Sequence, residues 1–374
     1  MFKQPTQKRP LQNNSKHDTA RLGLLVVAIA VTGTILLTGR KAATPTVSLE
    51  PETGTRTTQA LSIDDLTASF NKAVKFTAPK SSPTVSAENP CVAAAAPAQW
   101  KHIVVIMFEN KKYNEVINTA DAPFITNLAH KCGTYTNWKD ANYKANGQTD
   151  GNYASKPNYA TLTSGVPPSV HGMKDDSYSK TSNVDNIFNK LKQINKTARV
   201  YQSGSTGSCA TSNFSGAYHD PLRYYTNLGA QSSNQSTYCN QNDLSINNFM
   251  TDVNSGNLPA YSMVLPTNNQ NMHNNTIASG DAWAQGFLTP LLNSTQYKSG
   301  DTAIFFLWDE DTPIPNALIA PSIKPGSSPP SPAANSAPIS HISATRTWQD
   351  MLGVSPLLGD SGQAPSLINF FNGK

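Results

Sequence analysis

The chain has 374 residues, room for one large domain with tails or for two small domains. Its formal net charge of +5 sits at one end: residues 1–41 hold seven Lys or Arg and one Asp, leaving 22 basic and 23 acidic residues beyond them. A nucleic-acid-binding role for that larger part has no electrostatic support.

Lys3, Lys8, Arg9, Lys16 and Arg21 precede an uncharged apolar run, Leu22 to Gly39. That run is close to the roughly 20 residues that span a bilayer as a helix. The Lys and Arg bias predicts a cytoplasmic tail over 1–21, a transmembrane anchor over 22–39 and everything later on the far side of the cell membrane, extracellular or periplasmic. Secretion after signal cleavage is the alternative, because Lys41-Ala42-Ala43 follows the run. Residues 40–99 are dominated by Thr, Ser, Ala and Pro and read as a linker, with an amphipathic helix expected around Ser62 to Val74.

A folded domain is expected over 100–371. His102 to Phe108 is a run of β-branched and aromatic residues that reads as a buried strand of a parallel sheet. Phe124 to His130 and Val184 to Ile194 read as helices, Arg199 to Gln202 and Tyr261 to Pro266 as strands, and Trp283 to Asn293 as a helix carrying Pro290. Ala303 to Trp308 is a second buried strand. The alternation predicts an α/β fold, a three-layer α/β/α sandwich with a mostly parallel central sheet. Residues 227–248, crowded with Asn, Gln and Ser, and 325–338, rich in Pro, read as surface loops. Cys91, Cys132, Cys209 and Cys239 fit no zinc spacing and suggest two disulfides, with Cys209 to Cys239 the expected pair.

The two buried strands end in oxygen ligands, Glu109-Asn110 and Asp309-Glu310. Ligands in open α/β sheets sit beyond the carboxyl ends of strands, so this pair of ends predicts a site for a hard divalent cation of the Mg, Ca or Mn class. A carboxylate that merely caps a loop is the plainer explanation for one such end; two ends together favour the metal. Ser155-Lys156-Pro157-Asn158 opens a helical pattern. Ser155 there is either an N-cap or a nucleophile at a helix N-terminus whose N–H groups point at an anion. His219, His273 and His341 stand in polar, turn-rich stretches, where imidazoles could protonate a leaving oxygen.

These residues fall in an ordered series: Ile106-Met-Phe-Glu-Asn110, Tyr113, Ser155-Lys-Pro-Asn-Tyr159, Ser164-Gly165, His219-Asp-Pro221, Met272-His273, Gly280-Asp-Ala-Trp283, Trp308-Asp-Glu310, Pro315-Asn316, His341-Ile-Ser343 and Leu352-Gly353. The series resembles the phosphoesterase family that groups bacterial phospholipases C with acid phosphatases, in the alkaline-phosphatase-like superfamily. The resemblance implies a phosphoric ester hydrolase in which Glu109, Asn110, Ser155, Asp309 and Glu310 bind the metal. Ser155 would form a phosphoseryl intermediate, while Asn158, His219, His273 and His341 line the phosphate site. Asn271 and Asn274 replace acidic residues usual beside the Met-His element, so against the family pattern one ion is expected rather than two. The short domain looks like the acid phosphatase branch, with a phospholipase C or other phosphodiesterase second and a non-catalytic surface binding protein the rival from another class. A sulfatase is disfavoured because Ser155-Lys-Pro-Asn158 lacks the Arg of its nucleophile motif.

Overall fold

The computed structural model describes residues 84–177, 181–203, 217–229, 237–332 and 337–374, and the backbone of 60–64 and 72–76. The predicted anchor over 22–39 lies outside these residues. No helix among the described residues is long and apolar enough to cross a membrane. The chain divides into two units, Met1–Ser81 and Ser82–Lys374.

In the first unit, β1 (Ala60–Asp64) and β2 (Lys72–Phe76) pair antiparallel, Ser62 opposite Val74. The expected helix over 62–74 is therefore overturned. The reason is legible in hindsight: Leu61 and Ile63 alternate with Ser62 and Asp64, the period of a strand.

The second unit is built on a six-stranded sheet in the order β5-β4-β6-β3-β7-β8. Its strands are β3 (His102–Phe108), β4 (Ala198–Gln202), β5 (Asp243–Ser245), β6 (Tyr261–Leu265), β7 (Thr302–Trp308) and β8 (Asn316–Ile319). All neighbours are parallel except β7 and β8. The seven residues of β7 are all buried, as expected of a strand covered on both faces. Alternation along the strands sends Phe305 against Trp348 on one face, while Phe306 meets Phe108 on the other, where Phe108 also meets Trp283. Trp348 belongs to the helix His341–Leu352 and Trp283 to the helix Ile277–Asn293, so helices cover both faces of the sheet.

The polar stretch 227–248, expected to be a loop, contributes the helix Thr237–Asn242 and the edge strand β5 in its described part. The second unit also begins earlier than Trp100. Cys91 pairs with Cys132, and the main chain of Val92, Ala93 and Ala94 bonds to the carbonyls of Pro321 and Ile323. Lys101 then bonds to Asp301, so the chain enters at the amino ends of β3 and β7. Cys239 is disulfide-bonded, while Cys209 lies outside the described residues.

Candidate active site

β3 and β7 are adjacent and in register, with Phe108 opposite Trp308. Their carboxyl ends therefore deliver Glu109 and Asp309 side by side, and Asp309 N–H donates to the Phe108 carbonyl at 3.1 Å. Both carboxylates are fully buried. The turns beyond them are tight: Asn110 and Asp311 take left-handed backbone (φ 45° and 73°), as does Met272 after β6 (φ 76°). Asn and Asp tolerate that region, whereas Met does so only where its surroundings force it.

Ser155 is the first residue of α2 (Ser155–Ser164), which follows α1 (Pro123–Lys131). The expected N-cap role falls instead to Ala154, which has no capping side chain. Ser155 Oγ donates to Glu109 Oε2 at 3.0 Å. One turn on, the buried Tyr159 donates its phenolic proton to Glu109 Oε1 in a short bond. The helix N-terminus offers an anion less than expected. The Lys156 N–H is taken by Asp176 Oδ1 at 2.8 Å, and Pro157 has no N–H.

The side-chain amide of Asn158, expected to line the phosphate site, is engaged by the main chain. Its Nδ2 donates to the carbonyls of Tyr153 and Ala154, and its Oδ1 accepts the Ala141 N–H at 2.8 Å. Its amide fixes the turn that presents Ser155. His219, from a 3₁₀ turn, stacks on Tyr159 and places Nε2 3.5 Å from Glu109 Oε1, longer than a hydrogen bond. His341 heads the helix His341–Leu352, and its ring Nε2 lies 2.6 Å from the Asp309 carbonyl, so it holds the β7 turn. His273 is exposed, its Nδ1 2.6 Å from Asn274 Oδ1, while Asn271 Oδ1 accepts the His273 N–H. The two amides that replace acids thus still orient this histidine.

The charges are out of balance. Burial, then the Asp309 charge, holds Glu109 well above the carboxylate range, and burial raises Asp309 to about 6. Glu310 is pushed up to about 9 by burial, then by the charges of Asp309, Asp311, Asp176 and Asp140. Burial lowers His219 to about 3, with the nearby His273 charge adding to it, and also lowers His341. Both imidazoles are neutral at pH 7, so neither holds the proton that the sequence expects a histidine to give the leaving oxygen. An anion brought against His219 would raise it again.

Two buried oxygens here, Asn110 Oδ1 and Asp309 Oδ2, have no hydrogen-bond partner among the described residues. An orphaned buried acceptor costs about 1–3 kcal/mol, which a hard cation would recover. Glu109, Asn110, Ser155 and Asp309 thus fit an oxygen-liganded cation. No three His, Cys, Asp or Glu side chains form a metal cluster among the described residues, so such a set depends on Asn110 and Ser155 as much as on the carboxylates. Glu310 stands beside it as the neighbour of Asp309.

Tyr159 and Asp176 were not assigned roles from sequence. Tyr159 could have been, because it lies four residues from Ser155 and so on the same helix face. Asp176, 20 residues from the N–H it accepts, leaves no local signal.

A model of the phosphoesterase family matches residues 123–326. The chain is 24% identical over 289 residues to a phosphatidylinositol-3-phosphatase of Mycobacterium tuberculosis, covering 75% of this chain and 86% of that protein. It is 26% identical over 225 residues to a probable acid phosphatase of Kluyveromyces lactis, covering 57% of this chain and 48% of that one. Among solved structures, a protein in the alkaline phosphatase superfamily from Vibrio parahaemolyticus superposes with a TM-score of 0.50 at 15% identity, over 76% of this chain and 74% of its own, a likeness of fold.

Proposed function

The chain belongs to the phosphoesterase family and is a phosphoric ester hydrolase, and from that premise we propose that it is a metal-dependent phosphomonoesterase acting through a phosphoseryl intermediate. The observation that carries this reading is Ser155 Oγ on Glu109 at the joint ends of β3 and β7, beside two orphaned oxygens. Glu109, Asn110, Ser155 and Asp309 would hold one divalent cation of the Mg, Ca or Mn class, with the Glu310 carboxylate beside them. Bound there, it would lower the pKa of the serine hydroxyl and offset charge on the phosphoryl oxygens.

Ser155 Oγ attacks phosphorus, its proton leaving toward Glu109; the Oγ–P bond forms as the P–O bond to the leaving group breaks. His219, neutral and stacked on Tyr159, donates a hydrogen bond to a phosphoryl oxygen rather than a proton to the leaving group. His273, exposed and held by Asn274, would supply that proton. Water then cleaves the phosphoserine and regenerates Ser155. His341 acts by holding the Asp309 turn, and Asn158 by holding the Ser155 turn. Both curated relatives are named phosphatases, which favours a monoester.

The same proposal places the protein in the cell membrane through Leu22–Gly39, with the catalytic unit outside. The Cys91–Cys132 disulfide supports an oxidising compartment. The test uses the full chain on p-nitrophenyl phosphate and p-nitrophenyl phosphorylcholine, with and without chelator, beside Ser155→Ala. Monoester turnover that chelator removes, and that Ser155→Ala cuts by about 10³-fold or more, is the expected result. Preference for the choline ester would reassign the enzyme as a phospholipase C, and turnover by Ser155→Ala would remove the phosphoserine.

A further inference from the structure

Beyond the ends of β3 and β7 opens a cavity of about 310 Å³ whose walls carry Lys112, Asn142, Tyr143, Thr149, Asn152 and Asp311. The covalent chain ties it to the reacting centre. Asp311 follows Glu310 directly, Lys112 lies two residues after Asn110, and Asn152 three before Ser155, so these Cα atoms lie within ~4, ~8 and ~11 Å of those residues. Hydrogen bonds tie it again. Asn142 Oδ1 accepts the Tyr153 N–H at 2.9 Å, and Asn142 itself donates to both oxygens of Asp140. Asp140 Oδ2 also accepts the Thr312 N–H at 3.0 Å. One wall therefore joins the turn after β7 to the segment that presents Ser155, and the left-handed Asp311 is part of it.

The lining has a definite chemistry. It presents amides, hydroxyls, an ammonium and a carboxylate, with no aliphatic side chain. Acyl chains would gain nothing there, since ligand cavities that take apolar groups are lined predominantly by apolar side chains. The opposite charges of Lys112 and Asp311 select no second anionic group. Many alternating donors and acceptors in a cavity at the small end of the ligand range suit a compact molecule with several hydroxyls.

We propose that this cavity is the leaving-group subsite and that it takes a polyhydroxylated group of monosaccharide size. This rests on the phosphomonoesterase reading of Ser155. Lys112 and Asn152 are exposed at the rim, so truncating them leaves the fold intact. The first measurement is the ratio of kcat/KM for glucose 6-phosphate to that for p-nitrophenyl phosphate, in the full chain and in Lys112→Ala and Asn152→Ala. The ratio falls by about tenfold in each variant, because hydrogen bonds to the sugar are lost while the aryl ester has none to lose. A ratio that stays within a factor of about two overturns the subsite.

Calorimetric binding of glucose 6-phosphate to Ser155→Ala, with and without the two rim substitutions, separates the two readings. Binding weakened by the rim substitutions, with neither ester turned over by the wild type, would keep the cavity as a site for the sugar group while sinking the hydrolase mechanism. Binding that ignores them, or no binding, overturns the subsite and leaves turnover of p-nitrophenyl phosphate to stand for itself.

Discussion

Tyr159 stands one helical turn from Ser155, donating to Glu109 while stacking on His219. Tyr159→Phe keeps the ring and removes the donor, so Glu109 loses the bond that fixes which oxygen faces Ser155. Turnover should fall by roughly 10–100-fold, the usual cost of losing a partner behind a ligand, with metal affinity falling alongside it. Steady-state kinetics beside a metal titration checks this, and a variant with wild-type values for both would leave Tyr159 as packing only. His171 shows a buried group that acts on stability instead. It is enclosed beside Thr161, and burial lowers its pKa from 6.5 to about 4. The fold accommodates the neutral ring, so the unfolded chain binds the extra proton between those two values. Stability is present in full above pH 6.5 and drains away as pH falls to 4, by roughly 3 kcal/mol. His171→Gln should flatten the melting temperature over that window; an unchanged slope would assign the acid sensitivity elsewhere.

At the scale of elements, close approaches set the turns around the site. Gly280, in the helix Ile277–Asn293, faces Met272: a Cβ there would lie 2.4 Å from Met272 Cγ. Gly280→Ala should push Met272, and with it His273, lowering kcat by more than it lowers stability; a loss confined to melting temperature would deny that coupling. In the same helix Asp281 accepts the N–H groups of Phe124 and Ile125 at 3.1 and 2.8 Å, capping α1 from a distance. Asp281→Ala should cost about 1–2 kcal/mol in denaturant unfolding. The elements legible in the sequence were those whose pattern is long and unmixed. β3 and β7 are unbroken apolar runs, and their last residues announced Glu109 and Asp309. β5 is three residues in an Asn- and Gln-rich stretch, stabilised by pairing with β4 rather than by its own pattern. The strands β1 and β2 read as a helix from sequence because Ser62 to Val74 also places apolar residues at helical spacing. Asn158 and His341 stand out in the sequence series, yet their partners are main-chain groups, which leave no trace in a residue pattern.

At the scale of the whole molecule, the proposed cation would compete with protons for one set of carboxyl groups. Glu310 is pushed up to about 9 and Glu109 is held above its ordinary range, so binding a cation beside them would displace protons. A cation at roughly 100 times its Kd stabilises the folded chain by about 2.7 kcal/mol. The gap in melting temperature between metal-loaded and chelated protein should therefore widen from pH 5 to pH 8. A gap that does not change with pH would take these carboxylates out of the ligand set. The chain enters the second unit at the amino ends of β3 and β7, where residues 91–101 are fastened, and the proposed reacting groups lie past the carboxyl ends. Seven residues of strand, about 20 Å of rigid sheet, separate the two. Under the proposed membrane placement, address and chemistry are thereby uncoupled: a change of leader would redirect the catalyst without touching the end of the sheet where Glu109 and Asp309 stand.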